Sequence, residues 1–287
     1  MEPNREALAE GHEVVLGTLS PFSLTRAIAN ESPVIVEVPH AGLHVPTGPL
    51  GAHVTSDAQE RLRDADIFVD QLFQDAPAVG ASLLVAHWSR HVIDLNRSLR
   101  DVDAATVETS KRPPHIKYGL IWQATGRGRQ LLARPLSSEA VGDLVQAVHD
   151  PYHRAIAAEI ERKRKLFGRA ILLAAHSMPS IDARGNRRAD IVPGTCGRTS
   201  ASQDVVNAVD HMASTHGFVV RHDDPYRGGY TTQKYGNPDN HVDAIQVEIN
   251  RSLYANEEEQ RPHPNFERIR RFADALVSRL GALGTKP

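Results

Sequence analysis

A chain of 287 residues with 40% hydrophobic and 24% charged residues can bury a sizeable core in one large α/β domain. Its formal net charge of −2 argues against a nucleic-acid or anionic-membrane partner, and no apolar stretch approaches the roughly 20 residues of a transmembrane helix. The single cysteine, Cys196, excludes an internal disulfide framework and indicates a reducing compartment. Because the amino terminus lacks a signal-peptide pattern, we expect a cytoplasmic protein.

Short apolar runs alternate with longer amphipathic segments, after a polar lead-in over residues 1–31 with one candidate strand at 14–16. Apolar runs bounded by Gly or Pro are typical of strands, and apolar residues spaced three and four apart are typical of helices. Strands are predicted over residues 34–38, 81–86, 92–95, 170–175, 218–221 and 244–249. Helices are predicted over residues 56–74, 138–167 with a kink at Pro151, 201–216 and 266–283.

This alternation predicts βα units and hence an α/β fold, with a mainly parallel or mixed central sheet flanked by helices. We predict that residues 1–287 form a single domain with its core over about 32–283. Two segments lack periodicity. Residues 40–51 form an irregular Pro- and Gly-rich loop, and residues 101–114 are predicted to be a surface loop near the site.

Two of the predicted strands end in a histidine. His40 follows the run 34–38 and Pro39, and His176 follows the run 170–175. In open α/β sheets the ligand crevice lies beyond the carboxyl ends of the strands, and neutral imidazole is a common zinc ligand. The two histidines therefore predict a metal site, although a buried histidine that only packs in the core remains the alternative for each.

A third ligand is expected, because catalytic zinc sites use three protein ligands and leave a position for water. We choose Asp66, on the predicted helix 56–74; Asp64 would point elsewhere, since only positions three or four apart share a helix face. An exposed helical acid is the alternative for Asp66. His44 is another candidate ligand, but the sequence around Pro46 argues against a helix that would pair it with His40.

Glu248 is the predicted general base. It lies in the apolar strand 244–249, where an ionisable group is costly to bury unless it is paired or functional. The alternation of Gln246, Glu248 and Asn250 puts three polar side chains on one face of that strand. An amphipathic edge strand is the alternative.

Arginines and asparagines follow several predicted strands and suit recognition of a carboxylate substrate. Arg90, Asn96, Arg97 and Arg251 are the predicted substrate-binding residues, because Arg can hold a carboxylate through two hydrogen bonds. Structural salt bridges are the alternative for each arginine. His241 precedes the strand that carries Glu248, and it is predicted either to bind a transition-state oxyanion or to cap a turn.

Five ordered motifs between about residues 32 and 254 resemble the N-formylglutamate amidohydrolase family. They span residues 39–42 with Pro46, 64–66, 89–97, 176–179 and 246–251. The resemblance implies a zinc-carboxypeptidase-like α/β fold and hydrolysis of an N-formyl amide. It also implies that His40, Asp66 and His176 bind Zn²⁺ or another divalent metal and that Glu248 acts as the base.

One position and one segment depart from the pattern of that family. The family often carries an acid two residues before the second histidine, and here that position is Ala174, which removes a carboxylate that could orient a ligand. Residues 116–132 also differ from the threonine-rich segment associated with the enzymes of histidine degradation. This second difference bears on glutamate specificity more than on the chemistry.

The predicted function is that of a zinc-dependent amidohydrolase. It would cleave the N-formyl or another small N-acyl amide of an amino acid such as N-formyl-L-glutamate, releasing formate and the amino acid. A carboxypeptidase-like peptidase and a non-catalytic metal- or ligand-binding relative are the alternatives, the latter favoured by Ala174. The expected partner is a small molecule rather than nucleic acid or membrane, and the oligomeric state is left open.

Overall fold

A mixed six-stranded sheet lies at the centre of the protein in this computed structural model, which describes residues 19–108 and 116–284. Its strands are β1 (Phe22–Thr25), β2 (Val34–Val38), β3 (Ser82–Ala86), β4 (Ala170–Met178), β5 (Ile191–Gly194) and β6 (Val242–Asn250). Their order across the sheet is β1-β3-β2-β4-β6-β5. A small separate sheet pairs β7 (Ala255–Asn256) with β8 (Arg261–Pro262).

The four inner strands β3, β2, β4 and β6 run parallel, and the edge strands β1 and β5 are antiparallel to their neighbours. Every residue of β2, β4 and β6 is buried, as expected for parallel strands covered on both faces. The prediction of a mixed central sheet flanked by helices is therefore confirmed. Strand β1 lies within the segment predicted to be a polar lead-in, and the candidate strand at 14–16 lies outside the described residues.

The helices are α1 (Ala58–Asp64), α2 (Val69–Leu72), α3 (Ser138–Leu144), α4 (Asp150–Phe167), α5 (Gln203–Thr215), α6 (Tyr230–Tyr235) and α7 (Phe266–Gly281). Apolar residues of α5 and α7 pack in one core cluster with those of β2 and β4. Apolar residues of α3 and α4 belong to a second cluster, on the other side of the sheet. None of the helices in the described ranges is long and apolar enough to span a membrane.

The prediction of one helix over 56–74 was wrong. Ala65 ends α1 with an extended backbone (φ −74°, ψ 158°), and Phe68 precedes α2 in the left-handed region (φ 64°). Asp66 therefore lies in a short link rather than on a helix. Its backbone N–H donates to the carbonyl of His40 at 3.0 Å, which joins this link to the end of β2.

The other differences from the predicted elements have local causes. Between α3 and α4 a π-helical turn, Val145–His149, stands immediately before Pro151, where the ring lacks an N–H to continue the helical ladder. Residues 92–95 are buried but form turns and coil instead of the predicted strand. Residues 218–221 contribute only one isolated bridge, from Val220. The described part of the loop 101–114 is partly buried, at Asp103, Thr106 and Val107.

Candidate metal centre and catalytic site

Three potential metal ligands meet at the carboxyl edge of the parallel strands. His40 follows β2, His176 lies near the end of β4, and Asp66 comes from the link between α1 and α2. All three side chains are buried, and their donor atoms lie within 4.8 Å of one another. The structure therefore brings the three predicted ligands together.

The geometry of the cluster depends on Asp66. His176 Nδ1–H donates to Asp66 Oδ2 at 2.9 Å, and His40 Nδ1 lies 3.7 Å from the same oxygen. Burial by itself would raise the pKa of Asp66, but the two imidazoles hold it well below its usual range. An ionised carboxylate facing two imidazole nitrogens is a donor set that fits a divalent ion such as zinc.

His40 provides the sharpest test of whether a metal fits. Its Nε2–H donates to Asp94 Oδ1 at 2.8 Å, which leaves Nδ1 as the unprotonated nitrogen. That Nδ1 is buried and has no hydrogen-bond partner in the described part of the chain. A buried nitrogen with a free lone pair, on a ring oriented by a carboxylate, is the usual arrangement of a metal-binding histidine.

Asp94 is a site residue that the sequence reasoning missed. It is fully buried and, besides His40, accepts from Arg90 Nη2 and Trp122 Nε1, each at 2.9 Å. Burial opposes ionisation, but the charge of Arg90 and the hydrogen bond from His40 keep the pKa of Asp94 well below its usual range. Its signal was its place in the 89–97 motif, between the predicted residues Arg90 and Asn96.

The other ligand, His176, is held from its far side by Asn96. Asn96 Nδ2 lies 3.3 Å from His176 Nε2, and Asn96 Oδ1 accepts the backbone N–H of Thr231 at 3.0 Å. A Cβ atom on Gly229 would lie 2.1 Å from Asn96 Nδ2, so the chain passes this close only because residue 229 is glycine. Asn96, which is predicted to bind substrate and lines the same cavity, thus also holds the ring of His176.

Ala174 lies in a row with two longer side chains. In the parallel register it is paired with Glu37 of β2 and with Gln246 of β6. Burial raises the pKa of Glu37 to about 7, while the charge of His176 opposes this shift. Although position 174 has no acid, a carboxyl group from the neighbouring strand does lie in the layer behind His176.

Glu248 is paired in register with His176 and is buried beside the cluster. Burial raises its pKa to about 7; the charge of His176 opposes the shift and the negative charge of Asp66 adds to it. Gln246 Nε2 donates to Glu248 Oε1 at 2.7 Å and fixes its orientation. A carboxyl group with a pKa near neutrality is suited to accept and return a proton.

The predicted arginines have different surroundings. Arg97 is held by the carbonyls of Tyr118 and Asn96, at 2.7 and 2.9 Å, which leaves its Nη2 without a hydrogen bond in the described structure. Arg251 instead donates to Ser177 and lies 3.7 Å from Asp66, so its guanidinium supports the metal cluster. Arg251 also lines the cavity, and its predicted substrate contact stays a prediction.

The structure places His241 away from the site, which does not support its predicted oxyanion role. It is exposed and directly precedes β6, seven residues before Glu248. At roughly 3.3 Å per residue, the two lie about 20 Å apart at opposite ends of the strand. The left-handed backbone of His241 (φ 57°), after a 3-10 turn over Pro238–Asn240, agrees with its predicted alternative in a turn.

The cluster opens into a cavity of about 710 Å³, a size that suits a small-molecule substrate. Its lining includes the metal cluster, Glu248 and the segments around residues 183–188 and 225–229. Two side chains of those segments, Arg188 and Tyr226, were also missed, since no pattern in their sequence surroundings marks them.

Comparison with known proteins gives a consistent result. Residues 32–255 match the N-formylglutamate amidohydrolase family. The chain is 31% identical to an N-formylglutamate deformylase of Pseudomonas aeruginosa over 241 residues, 79% of this chain and 83% of that one. Its structure is similar to the crystal structure of N-formylglutamate amidohydrolase from Ralstonia eutropha JMP134, with a TM-score of 0.83 at 29% identity over 92% of this chain and 98% of that one.

A gene product of Agrobacterium tumefaciens shares the fold, with a TM-score of 0.67 at 19% identity over 92% of this chain and 96% of that one. The family match covers all five sequence motifs and the residues of the buried His-Asp-His cluster and Glu248. The chain belongs to the N-formylglutamate amidohydrolase family.

Proposed function

We propose that this protein is a metal-dependent amidohydrolase that removes the formyl group from an N-formyl amino acid such as N-formyl-L-glutamate, giving formate and the free amino acid. The observation that carries this proposal is the buried cluster of His40, Asp66 and His176 beside Glu248 in one cavity. The names of the relatives from Pseudomonas aeruginosa and Ralstonia eutropha support the choice of substrate.

A divalent ion such as zinc, bound by His40, Asp66 and His176, would act as a Lewis acid on the formyl carbonyl and lower the pKa of a water molecule toward about 7. Glu248 takes the proton of the attacking water on a carboxylate oxygen and returns it to the leaving amine. Gln246 holds that carboxylate in place during both transfers.

The substrate is oriented by the arginines that line the cavity. Arg97, whose guanidinium is already held by two backbone carbonyls, binds the α-carboxylate through its free Nη2. Arg90 is stacked 4.4 Å over the Trp122 ring, is tied to Asp94 and stands next to the metal cluster. Its positive charge stabilises the negative oxygen that develops on the formyl carbon.

The direct test is a turnover screen with zinc-loaded protein over N-formyl amino acids, with short peptides as the competing substrate class. We expect formate release from N-formyl-glutamate and about one zinc ion per chain after removal of excess metal. Treatment with a chelator should abolish turnover, and zinc should restore it. Cleavage of peptides without formate release would favour a carboxypeptidase, and protein that binds no metal would refute the proposal.

Replacement of the proposed base separates chemistry from metal binding. Glu248→Gln should lower kcat by about 10²–10⁴-fold, because a positioned general base typically contributes that much. Zinc content, measured by atomic absorption, should not change, since Glu248 is not one of the three ligands. The exposed Glu258→Gln is the matched control and should retain full activity. A Glu248→Gln variant with wild-type kcat would disprove the assignment of the base.

A further inference from the structure

We propose that Arg188, supported by Tyr226, is the residue that binds the side-chain carboxylate of the substrate and so selects an acidic side chain. This inference rests on the proposed function, since it names the residue that selects the side chain. The metal cluster and Glu248 act on the formyl amide, and Arg188 lines the same cavity.

The backbone around Arg188 is fixed to the catalytic edge of the sheet. Arg188 N–H donates to the carbonyl of Ser180 at 2.9 Å, which closes the base of a hairpin between Ile181 and Arg187. Asn250 Nδ2, at the end of β6, donates to the carbonyls of Arg188 and Ala189 at 3.3 and 3.1 Å. The strand that carries Glu248 therefore also anchors Arg188.

The guanidinium of Arg188 is oriented but has no ion-pair partner among the described residues. Its Nη1 donates to the Tyr226 hydroxyl at 2.7 Å, and the group lies 5.4 Å from the centre of the Tyr226 ring. Its Nε is buried and has no acceptor within residues 19–108 and 116–284. The nearby Asp182 is used by the hairpin itself, because it accepts from the backbone N–H groups of Arg184 and Asn186. A half-buried, half-satisfied guanidinium is suited to a ligand carboxylate.

Comparison with the other arginines of the cavity favours this residue. Arg90 is paired with Asp94, and Arg251 is packed against Ser177 and Asp66, so neither is free for a side-chain carboxylate. Arg63 and Arg227 are exposed, where solvent screens a charge pair and weakens it.

Two arginines thus remain for the two carboxylates of a dicarboxylic amino acid. Arg97 adjoins the metal cluster through Asn96 and suits the α-carboxylate next to the scissile amide. Arg188 lines the same cavity, has no such link to the cluster through Asn96, and suits the side-chain carboxylate. A substrate with a neutral side chain would leave the Arg188 charge without a partner, and this is a strong basis for discrimination.

The test compares N-formyl-glutamate with N-formyl-glutamine, which differ only in the side-chain carboxylate. Arg188→Met should lower kcat/KM for N-formyl-glutamate by about 10–10²-fold, mainly through KM, because a charge-assisted contact outside the reacting centre is lost. The value for N-formyl-glutamine should change much less, by about threefold at most. Arg188→Lys, which keeps the charge but not the paired hydrogen bonds, should fall between wild type and Arg188→Met.

Arg184→Met is the matched control, because Arg184 is exposed on the same hairpin and does not line the cavity. It should keep the wild-type preference for N-formyl-glutamate over N-formyl-glutamine. If Arg188→Met lowered kcat/KM equally for the two substrates, Arg188 would have a structural role. If kcat/KM changed for neither substrate, Arg188 would not contact the substrate. Either result would overturn the proposal.

Binding of glutarate, measured by isothermal titration calorimetry against butyrate, gives a readout that needs no turnover. Glutarate carries two carboxylates and butyrate carries one, so wild type should bind glutarate more tightly, and Arg188→Met should lose this difference. If wild type hydrolyses no N-formyl amino acid but the glutarate difference depends on Arg188, the proposed function fails and the carboxylate site stands. If wild type binds both acids equally, the carboxylate site fails.

Discussion

Glu37 is a fully buried carboxyl group whose two oxygens have unequal surroundings. Oε1 accepts the Tyr152 hydroxyl at 3.1 Å, whereas Oε2 has no hydrogen bond within normal distance among the described residues. Burial favours the neutral form, and the pKa rises from 4.5 to about 7. The native state therefore binds a proton at Glu37 more tightly than the unfolded chain does.

Because of this pKa shift, Glu37 should lower the free energy of unfolding by an amount that depends on pH. Below about pH 4.5 the carboxyl is protonated in both states, and the cost is absent; between about pH 4.5 and 7 the unfolded chain loses its proton while the native state keeps it, so stability falls, and the cost is complete once the pH has risen through about 7. At about 1.4 kcal/mol per pKa unit, the full cost is of the order of 3 kcal/mol.

Urea unfolding of chelator-treated protein at about pH 5 and about pH 8 measures this cost. Relative to wild type, Glu37→Gln should be more stable at the higher pH than at the lower one, because the amide does not titrate. A stability difference between the two proteins that is the same at both pH values would refute the shift.

At the residue scale, the sequence could predict those site residues that buried strands deliver to the catalytic edge. His40, His176 and Glu248 follow or end apolar runs, so their meeting at one edge follows from the parallel topology. Asp94 and Arg188 could not be assigned in this way. Their partners belong to irregular segments, and the path of such segments depends on tertiary contacts that carry no periodic signal.

Helix α1 helps to position the third proposed ligand, Asp66, which lies in the link that follows the helix. Asp57 caps α1 by accepting the backbone N–H of Glu60 at 2.8 Å, and the Glu60 side chain accepts the N–H of Asp57 at 3.1 Å. At the other end of α1, Asp64 accepts from His91 Nε2 at 3.0 Å. The helix is thus fixed at both ends just before the link that holds Asp66.

Asp57→Ala should therefore destabilise the protein by about 1 kcal/mol, because it removes the side-chain cap of a short helix. Urea unfolding of Asp57→Ala and of Asp143→Ala would measure the effect; Asp143 is exposed within α3 and serves as the control. Loss of the cap should raise the zinc concentration needed for half-maximal activity more than it lowers kcat. Equal stability of the two variants would speak against the capping interaction.

At the element scale, the buried strands were the most predictable part of the fold. The strands β2, β3, β4 and β6 could be predicted from their apolar runs, because a parallel strand covered on both faces is apolar along its length. The single helix predicted over 56–74 was wrong because its apolar spacing continues past Ala65 while the backbone does not. Apolar spacing records which side chains are buried, and buried coil gives the same spacing as a short strand or helix.

The two edges of the sheet have different chemistry. The carboxyl edge carries the proposed metal cluster, whereas Arg169 lies buried at the amino edge, next to the first residue of β4. Arg169 Nη1 pairs with Asp204 at 2.9 Å and its Nη2 pairs with the buried Asp243. This ionic cluster joins β4, β6 and α5 far from the catalytic site.

Arg169→Met should lower the free energy of unfolding by about 3–5 kcal/mol, because it leaves the carboxylate of Asp243 buried without its cation. Turnover per folded molecule should change little, since the substitution lies at the opposite edge of the sheet. Thermal unfolding and active-site-normalised kcat/KM would measure both quantities. Arg221→Met, which removes an exposed ion pair with Asp224, is the control and should cost about 1 kcal/mol or less.

Gly229 has a consequence for how new substrate preferences could be engineered or could evolve. Any side chain at this position would push against Asn96, which is buried and braces His176, so changes in the 225–229 segment would disturb the metal ligands as well as the cavity wall. The hairpin at 181–187 carries no such contact with the ligands among the described residues. The hairpin segment of the cavity lining can therefore be redesigned independently of the catalytic machinery, whereas the 225–229 segment is mutationally coupled to it.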